Sequence, residues 1–193
     1  ELMYMKKEIE SSLNESINIK VELLSSSVES VIQIANMLIE AFKTGHSLYL
    51  MGNGGSAADA QHISGELVGR FKKNRKPLPA LALTTDTSVL TAIANDFGYD
   101  LCFERQVDAF VKNGDVVFSL STSGNSVGII NATILAKKKG AKTIAFTGKG
   151  GGRLKDHVDL CLEIPSTDTA RIQECHITIG HILCSLVEKE LFG

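Results

Sequence analysis

The sequence predicts an α/β protein: a three-layer, doubly wound sandwich with a central parallel sheet, preceded by N-terminal helices. Three observations carry that expectation. Short apolar runs of four or five residues recur along the chain, each is followed by a segment of helical spacing, and two of the runs end in loops of small residues, Gly52-Asn53-Gly54-Gly55-Ser56 and Ser121-Thr122-Ser123-Gly124-Asn125-Ser126. Strands that read as unbroken apolar runs are strands buried on both faces, which is the environment of a parallel sheet covered by helices. Right-handed crossovers then put helices on both sides.

The elements follow in order. Ile9, Leu13, Ile17, Leu24, Val28, Val31, Ile32, Ala35, Leu38, Ile39 and Phe42 recur at helical spacing, which predicts two helices between Glu8 and Phe42 with a break near Ser25-Ser26-Ser27. The first helix is long, polar and amphipathic, and suits packing on its own core or on a partner chain. Strands are expected at Ser47–Met51, Ala80–Leu83, Val116–Leu120, Thr143–Phe146 and Leu160–Ile164. Helices are expected at Ser56–Arg70, Ser88–Ala94, Leu101–Val111, Ser126–Lys139 and Thr169–Leu191, with a glycine-rich turn after Phe146. Domain lengths of about 100–200 residues make 1–193 a single domain, with 1–44 as a helical extension.

Composition narrows the function classes. Charged residues make up 22% of the 193 and the formal net charge is −2, so no basic field exists to attract nucleic acid or an anionic membrane. No apolar run approaches the ~18 residues that span a bilayer, and no compact apolar stretch of a secretory signal opens the chain. Cys102, Cys161, Cys175 and Cys184 form no CxxC pair and lie among apolar neighbours. Buried, reduced thiols in a cytoplasmic protein are the expectation.

The two small-residue loops carry the first chemistry. In doubly wound sheets ligands bind beyond the carboxyl ends of the strands. The serine loop lies between a strand and a helix N-terminus, whose unpaired N–H groups and partial positive charge suit a phosphate. Ser121, Thr122, Ser123 and Ser126 add hydroxyl donors, and Gly124 allows close backbone approach. A capped turn would need one such residue, not four. No lysine follows, so the loop is not a Walker A motif, and the glycine loop at 52–55 fails the GxGxxG spacing of a nicotinamide site. That second loop is either a tight turn needing positive φ or a place where backbone and the Asn53 amide meet a polyhydroxylated ligand.

Further along, His62 and Glu66 are four apart, on one face of a helix. They suit acid–base work or metal ligation, although such a pair is more often a surface pair. Gln173 and His181 are eight apart on the last helix, about 80° around its axis. His181 lies in the apolar stretch Ile177–Leu186, where a lone histidine is ordinarily structural. Asn95-Asp96, read as a loop after Ile93-Ala94, suits either sugar hydroxyls or a turn.

Taken together, these segments resemble the sugar isomerase (SIS) domain family, and within it the isomerases that act on sedoheptulose 7-phosphate. The resemblance rests on Gly52–Ser56, on His62 through Arg70, on Ala94-Asn95-Asp96-Phe97-Gly98, on Ser121–Ser126, and on Arg171-Ile172-Gln173-Glu174 followed by His181. It implies an aldose–ketose isomerase that makes D-glycero-D-manno-heptose 7-phosphate through an enediol. It implies one zinc ion per subunit held by His62, Glu66, Gln173 and His181, with Glu66 and His181 as the catalytic pair. Asn53, Gly54, Gly55, Glu66, Asn95, Asp96, Ser121, Thr122, Ser123, Ser126 and Gln173 would contact substrate, in a homotetramer with active sites at subunit interfaces. Some family members have an aspartate immediately before the Arg-Ile-Gln-Glu segment; here Ala170 stands there and Asp168 two residues earlier.

Two other readings compete. A non-catalytic SIS protein that binds the replication initiator or senses sugar phosphates would share both loops, but would be expected to lack a histidine matching His181. An SIS isomerase for another sugar phosphate would share the chemistry and differ in substrate.

Overall fold

A computed structural model describes residues 2–193. Two helices come first, α1 (Leu2–Ser26) and α2 (Val28–Lys43). The break falls at Ser27. The hydroxyls of Ser25 and Ser26 both donate to the Glu22 carbonyl at 2.8 and 2.9 Å, so side chains compete there with the helical ladder.

The strands are β1 (Leu48–Gly52), β2 (Ala80–Ala82), β3 (Val116–Leu120), β4 (Lys142–Thr147) and β5 (Leu160–Glu163). They form one sheet in the order β2-β1-β3-β4-β5, with every neighbouring pair parallel. The remaining helices are α3 (Gly55–Val68), α4 (Thr87–Phe97), α5 (Cys102–Phe110), α6 (Val127–Lys138) and α7 (Thr169–Phe192). This is the expected doubly wound sheet, and each strand end lies within a residue or two of its sequence reading.

Alternation along the strands divides the core in two. Leu48 and Leu50, Val116 and Phe118, and Ile144 and Phe146 face α2, α3 and α7, while Met51, Val117 and Ala145 face α5 and α6. Side chains one apart on a strand point to opposite faces, so apolar residues at successive positions fill both layers. The chain leaves β1 for β2 on one side and returns to β3 on the other. The β1–β3 boundary is therefore the topological switch, and both small-residue loops lie at its carboxyl end.

Some expectations are corrected. Asn95 and Asp96 are not in a loop but in the last turn of α4, because that helix runs on to Phe97. The histidine enclosed among apolar residues is not His181 but His176, which is fully buried. Cys102, Cys175 and Cys184 are buried, whereas Cys161 on β5 is only partly so; all four are unpaired. The glycine-rich turn leads into a short 3-10 helix, Arg153–His157, that the sequence reading did not include.

Candidate active site

At the switch point the glycine loop after β1 and the serine loop after β3 face one another across an open pocket of about 320 Å³. Asn53, Gly54, Gly55, Ser121, Thr122, Ser123, Ser126 and Gln173 all line it, together with Ser56, Leu120 and Thr169.

Ser126 is the N-cap of α6, yet its side chain makes no capping bond. Its hydroxyl instead accepts from the Asn53 amide at 3.1 Å, and Asn53 in turn accepts from the Tyr99 hydroxyl at 2.7 Å. A plain capped turn does not account for this loop, because the hydroxyl is turned to the pocket rather than to the helix's own N–H groups. Gly124 has φ +63°, and a Cβ there would collide with the Gly151 carbonyl. Its close approach is thus to the neighbouring glycine turn, which buttresses the loop: Leu154 N–H donates to Gly124 O at 2.9 Å and Arg153 N–H to Asn125 Oδ1 at 3.1 Å.

The glycine loop is the tight turn that needs positive φ. Gly54 has φ +56°, the left-handed turn that favours glycine. Gly55 opens α3 with the Gln173 amide so close that a Cβ would lie 2.6 Å from its Nε2. Helices α3 and α7 run side by side from this contact, and a Cβ on Gly180 would lie 2.8 Å from Ile63 Cδ1.

Two turns further along the same helix pair, His62, Glu66 and His181 converge. His62 Nε2 is 3.1 Å from Glu66 Oε1 and 3.0 Å from His181 Nε2. The three ligand atoms lie within 4.8 Å of one another. His62 is exposed and the other two are half-buried. Tetrahedral zinc with ligand distances of ~2.0–2.1 Å needs donor atoms roughly 3.3 Å apart, so the two His62 separations match such an ion and the third donor pair lies within 4.8 Å. Behind it, the Phe71 ring stacks on His181 at 5.6 Å between centroids and 22° between planes.

The structure thus separates the sequence-derived residues into two groups. The pocket holds the loop residues and Gln173; the cluster holds His62, Glu66 and His181. The Gln173 amide lines the pocket and rests against Gly55 at the start of α3. Asn95 and Asp96 are exposed on α4 and bonded to each other at 2.8 Å rather than lining the pocket. Asp168 is occupied otherwise: it caps α7, accepting from Ala170 and Arg171 N–H at 2.8 and 3.1 Å.

Two residues escaped the sequence reading. Tyr99 reaches Asn53 from just beyond the C-terminus of α4, and nothing local marks it. Asp59 stands on the face that carries Gly55, His62 and Glu66, and the 55-59-62-66 spacing is the signal that would have found it. Its Oδ2 is buried with no hydrogen-bond partner; burial pushes its carboxyl up, and nearby His62 partly offsets this.

The SIS domain profile matches residues 13–148. A phosphoheptose isomerase of Roseiflexus sp. (strain RS-1) is 52% identical over 177 residues, 92% of this chain and 90% of the relative. The solved phosphoheptose isomerase of Neisseria gonorrhoeae superposes with a TM-score of 0.91 at 39% identity, covering 96% of this chain and 99% of that one. The corresponding enzyme of Francisella tularensis gives a TM-score of 0.93 at 34% identity, over 96% and 98%. With the profile matched over residues 13–148, about half of the residues identical to the Roseiflexus relative and nearly the whole length superposed on two solved enzymes, the chain belongs to the SIS domain family, among the phosphoheptose isomerases.

Proposed function

We propose that this chain interconverts D-sedoheptulose 7-phosphate and D-glycero-D-manno-heptose 7-phosphate, the first step of bacterial heptose synthesis for surface glycans. The observation that carries this reading is the convergence of Glu66 and His181 on His62, at 3.1 and 3.0 Å, on the helix pair that also borders the hydroxyl-lined pocket.

The phosphate binds at Ser121, Thr122, Ser123 and Ser126, where hydroxyls and the N-terminus of α6 supply donors. Asn53, Gly54, Gly55 and Gln173 hold the sugar beside it, and Asn95 and Asp96 are assigned to its hydroxyls. From Gly55 to His62 is seven residues, about 10 Å along α3. Helical side chains lean toward the N-terminus, so His62 and Glu66 point back toward the bound sugar. Binding energy gained at the phosphate is remote from the reacting carbons and can be used to hold them in place.

Ketose-to-aldose conversion moves a carbon-bound proton from C1 to C2. Glu66 is the base that takes it and returns it through the enediol; His181 moves the proton between the two oxygens. Zinc is the proposed cofactor, one per subunit, with His62, Glu66, Gln173 and His181 as its ligands. When bound it supplies positive charge where negative charge develops on oxygen.

The assembly is proposed to be a homotetramer with interfacial active sites. Ile9, Leu13, Ile17 and Leu24 are exposed along α1, and apolar residues gathered along one exposed helix support an interface with a partner chain. A cytoplasmic setting is supported by the four unpaired cysteines. Among the described residues no helix is long and apolar enough to cross a membrane.

The test is direct. Purified protein is incubated with sedoheptulose 7-phosphate and aldose formation is followed, before and after chelation and after zinc is restored. Product that depends on the restored metal supports the reading; no product with any divalent metal defeats it.

A further inference from the structure

The segment between α3 and β2 contains no regular structure near residues 69–76, yet it is pinned by an ion pair that is almost wholly buried. The side chains of Arg75 and Glu188 are 2% and 3% exposed, and Arg75 Nε donates to Glu188 Oε2 at 3.2 Å. The Glu188 carboxylate also accepts the backbone N–H groups of Phe71, Lys72 and Lys73 at 3.2, 2.9 and 2.6 Å. Arg75 uses its other nitrogens on the end of α3: Nη2 donates to the Glu66 carbonyl at 2.8 Å and Nη1 to the Leu67 carbonyl at 2.6 Å. Burial alone would raise the Glu188 carboxyl, but the three N–H donors and the guanidinium outweigh it and hold it below the usual range.

Burying two opposite charges is a poor way to stabilise a fold. Desolvation cancels much of their attraction, and apolar residues of similar volume serve as well or better. What a satisfied network of this kind does supply is position. One arm holds the backbone of Glu66 itself. The other fixes the backbone of Phe71, whose ring lies flat against His181. Glu188 is on α7 two turns beyond His181, so the network joins both cluster-bearing helices to the loop between them.

We infer that Arg75 and Glu188 are positioning residues for the isomerase: they hold Glu66 and His181 in register with His62 while lying behind the cluster, away from the substrate. The inference rests on the assignment of His62, Glu66 and His181 given above. Catalytic groups displaced by about 1 Å lose about 10²-fold in rate, and supporting contacts behind metal ligands are typically worth about 10–100-fold in metal affinity.

The experiment compares Arg75→Lys and Glu188→Gln in the full-length protein with Ile129→Val, which trims the apolar layer on the opposite face of the sheet. Arg75→Lys retains the charge but cannot reach both carbonyls and Glu188 together; Glu188→Gln retains the shape and drops the charge. In both, kcat is expected to fall about 10–100-fold with KM changed less than about threefold, and zinc is expected to be surrendered to a competing chelator about 10-fold more readily. Ile129→Val keeps its kcat and zinc affinity at an equal loss of Tm. Unchanged kcat and zinc affinity in the folded variants, or losses no greater than in the Ile129 control, overturn the inference. If neither charge variant folds, Phe71→Leu decides in their place, because it removes the ring from His181 and leaves the ion pair. A fall in its kcat at constant KM supports positioning; no change refutes it. Glu66→Gln, assayed alongside, separates the two failures: full activity there defeats the site assignment, whereas normal dependence on Glu66 with unaffected Arg75 and Glu188 variants defeats only the positioning role.

Discussion

The hydroxyl-lined pocket and the His62–Glu66–His181 cluster share helices α3 and α7 but are built in opposite ways. The pocket is made of two loops at adjacent strand ends, its donors are backbone and small hydroxyls, and its shape is set by glycines that let loops touch. The cluster is made of three side chains from the second half of α3 and the middle of α7, aimed at one point by packing and by a buried ion pair behind them. A loop at a helix N-terminus binds anions by what the backbone already offers. A cluster of side chains works only where its neighbours restrict its rotamers. The first region should therefore govern affinity and the second turnover, and substitutions can pull the two apart.

The largest separation is expected from Glu66→Gln. The amide preserves shape and removes the base, so kcat should fall about 10²–10⁴-fold while KM stays within about threefold. Steady-state kinetics with sedoheptulose 7-phosphate decides this. A large rise in KM with kcat retained would mean that Glu66 serves binding, and the division between the regions would fail.

Thr122→Val is the converse test. The Thr122 side chain lines the pocket and is engaged in no hydrogen bond within the protein among the described residues. A hydrogen bond to a charged group is worth about 1.5–3 kcal/mol, so loss of this hydroxyl should raise KM about 10–100-fold with little change in kcat. Inhibition by inorganic phosphate should weaken in parallel. A variant with unaltered KM and phosphate inhibition removes Thr122 from the anion site.

The same contrast decides what the sequence alone could reveal. Strand runs, the serine loop and its place at the carboxyl end of a strand were legible because each depends on local chemistry: an apolar run, a small-residue turn, a helix start. His62 and Glu66 were legible as a pair because four residues make one helical turn. That His181 meets them across 119 positions was legible only through the family resemblance and not from spacing, since only the side-by-side course of α3 and α7 brings it there. Composition even pointed the wrong way, because the apolar neighbours of His181 suggested a structural histidine. The structural histidine is His176, just before that stretch and five residues before His181, on the face turned to the sheet. Asn95 and Asp96 were misread as loop for a related reason: Asn and Asp favour turns, but α4 holds them to its last turn before Gly98.

His176 belongs to neither region and ties α7, which serves both, to the sheet. Its Nε2 is 3.1 Å from the Thr147 carbonyl at the end of β4, and its Nδ1 is buried without a partner. Burial lowers its pKa from 6.5 to about 4, only partly opposed by that bond. The unfolded chain therefore binds a proton between these values that the folded chain refuses. Stability rises with pH wherever the unfolded state holds more protons, so this contribution is complete above about pH 6.5 and is lost as the pH falls toward 4. Between pH 7 and pH 5 the loss should be about 2 kcal/mol, visible as an earlier urea midpoint at the lower pH. His176→Leu should flatten that difference. The Thr147 carbonyl keeps its bond from the Ile164 N–H at 3.0 Å, so the substitution leaves no orphaned acceptor on the sheet and should cost only about 1 kcal/mol at pH 7. If the variant instead loses catalysis at pH 7 while remaining folded, α7 is held in register by this single bond, and pocket and cluster are less independent than their construction implies.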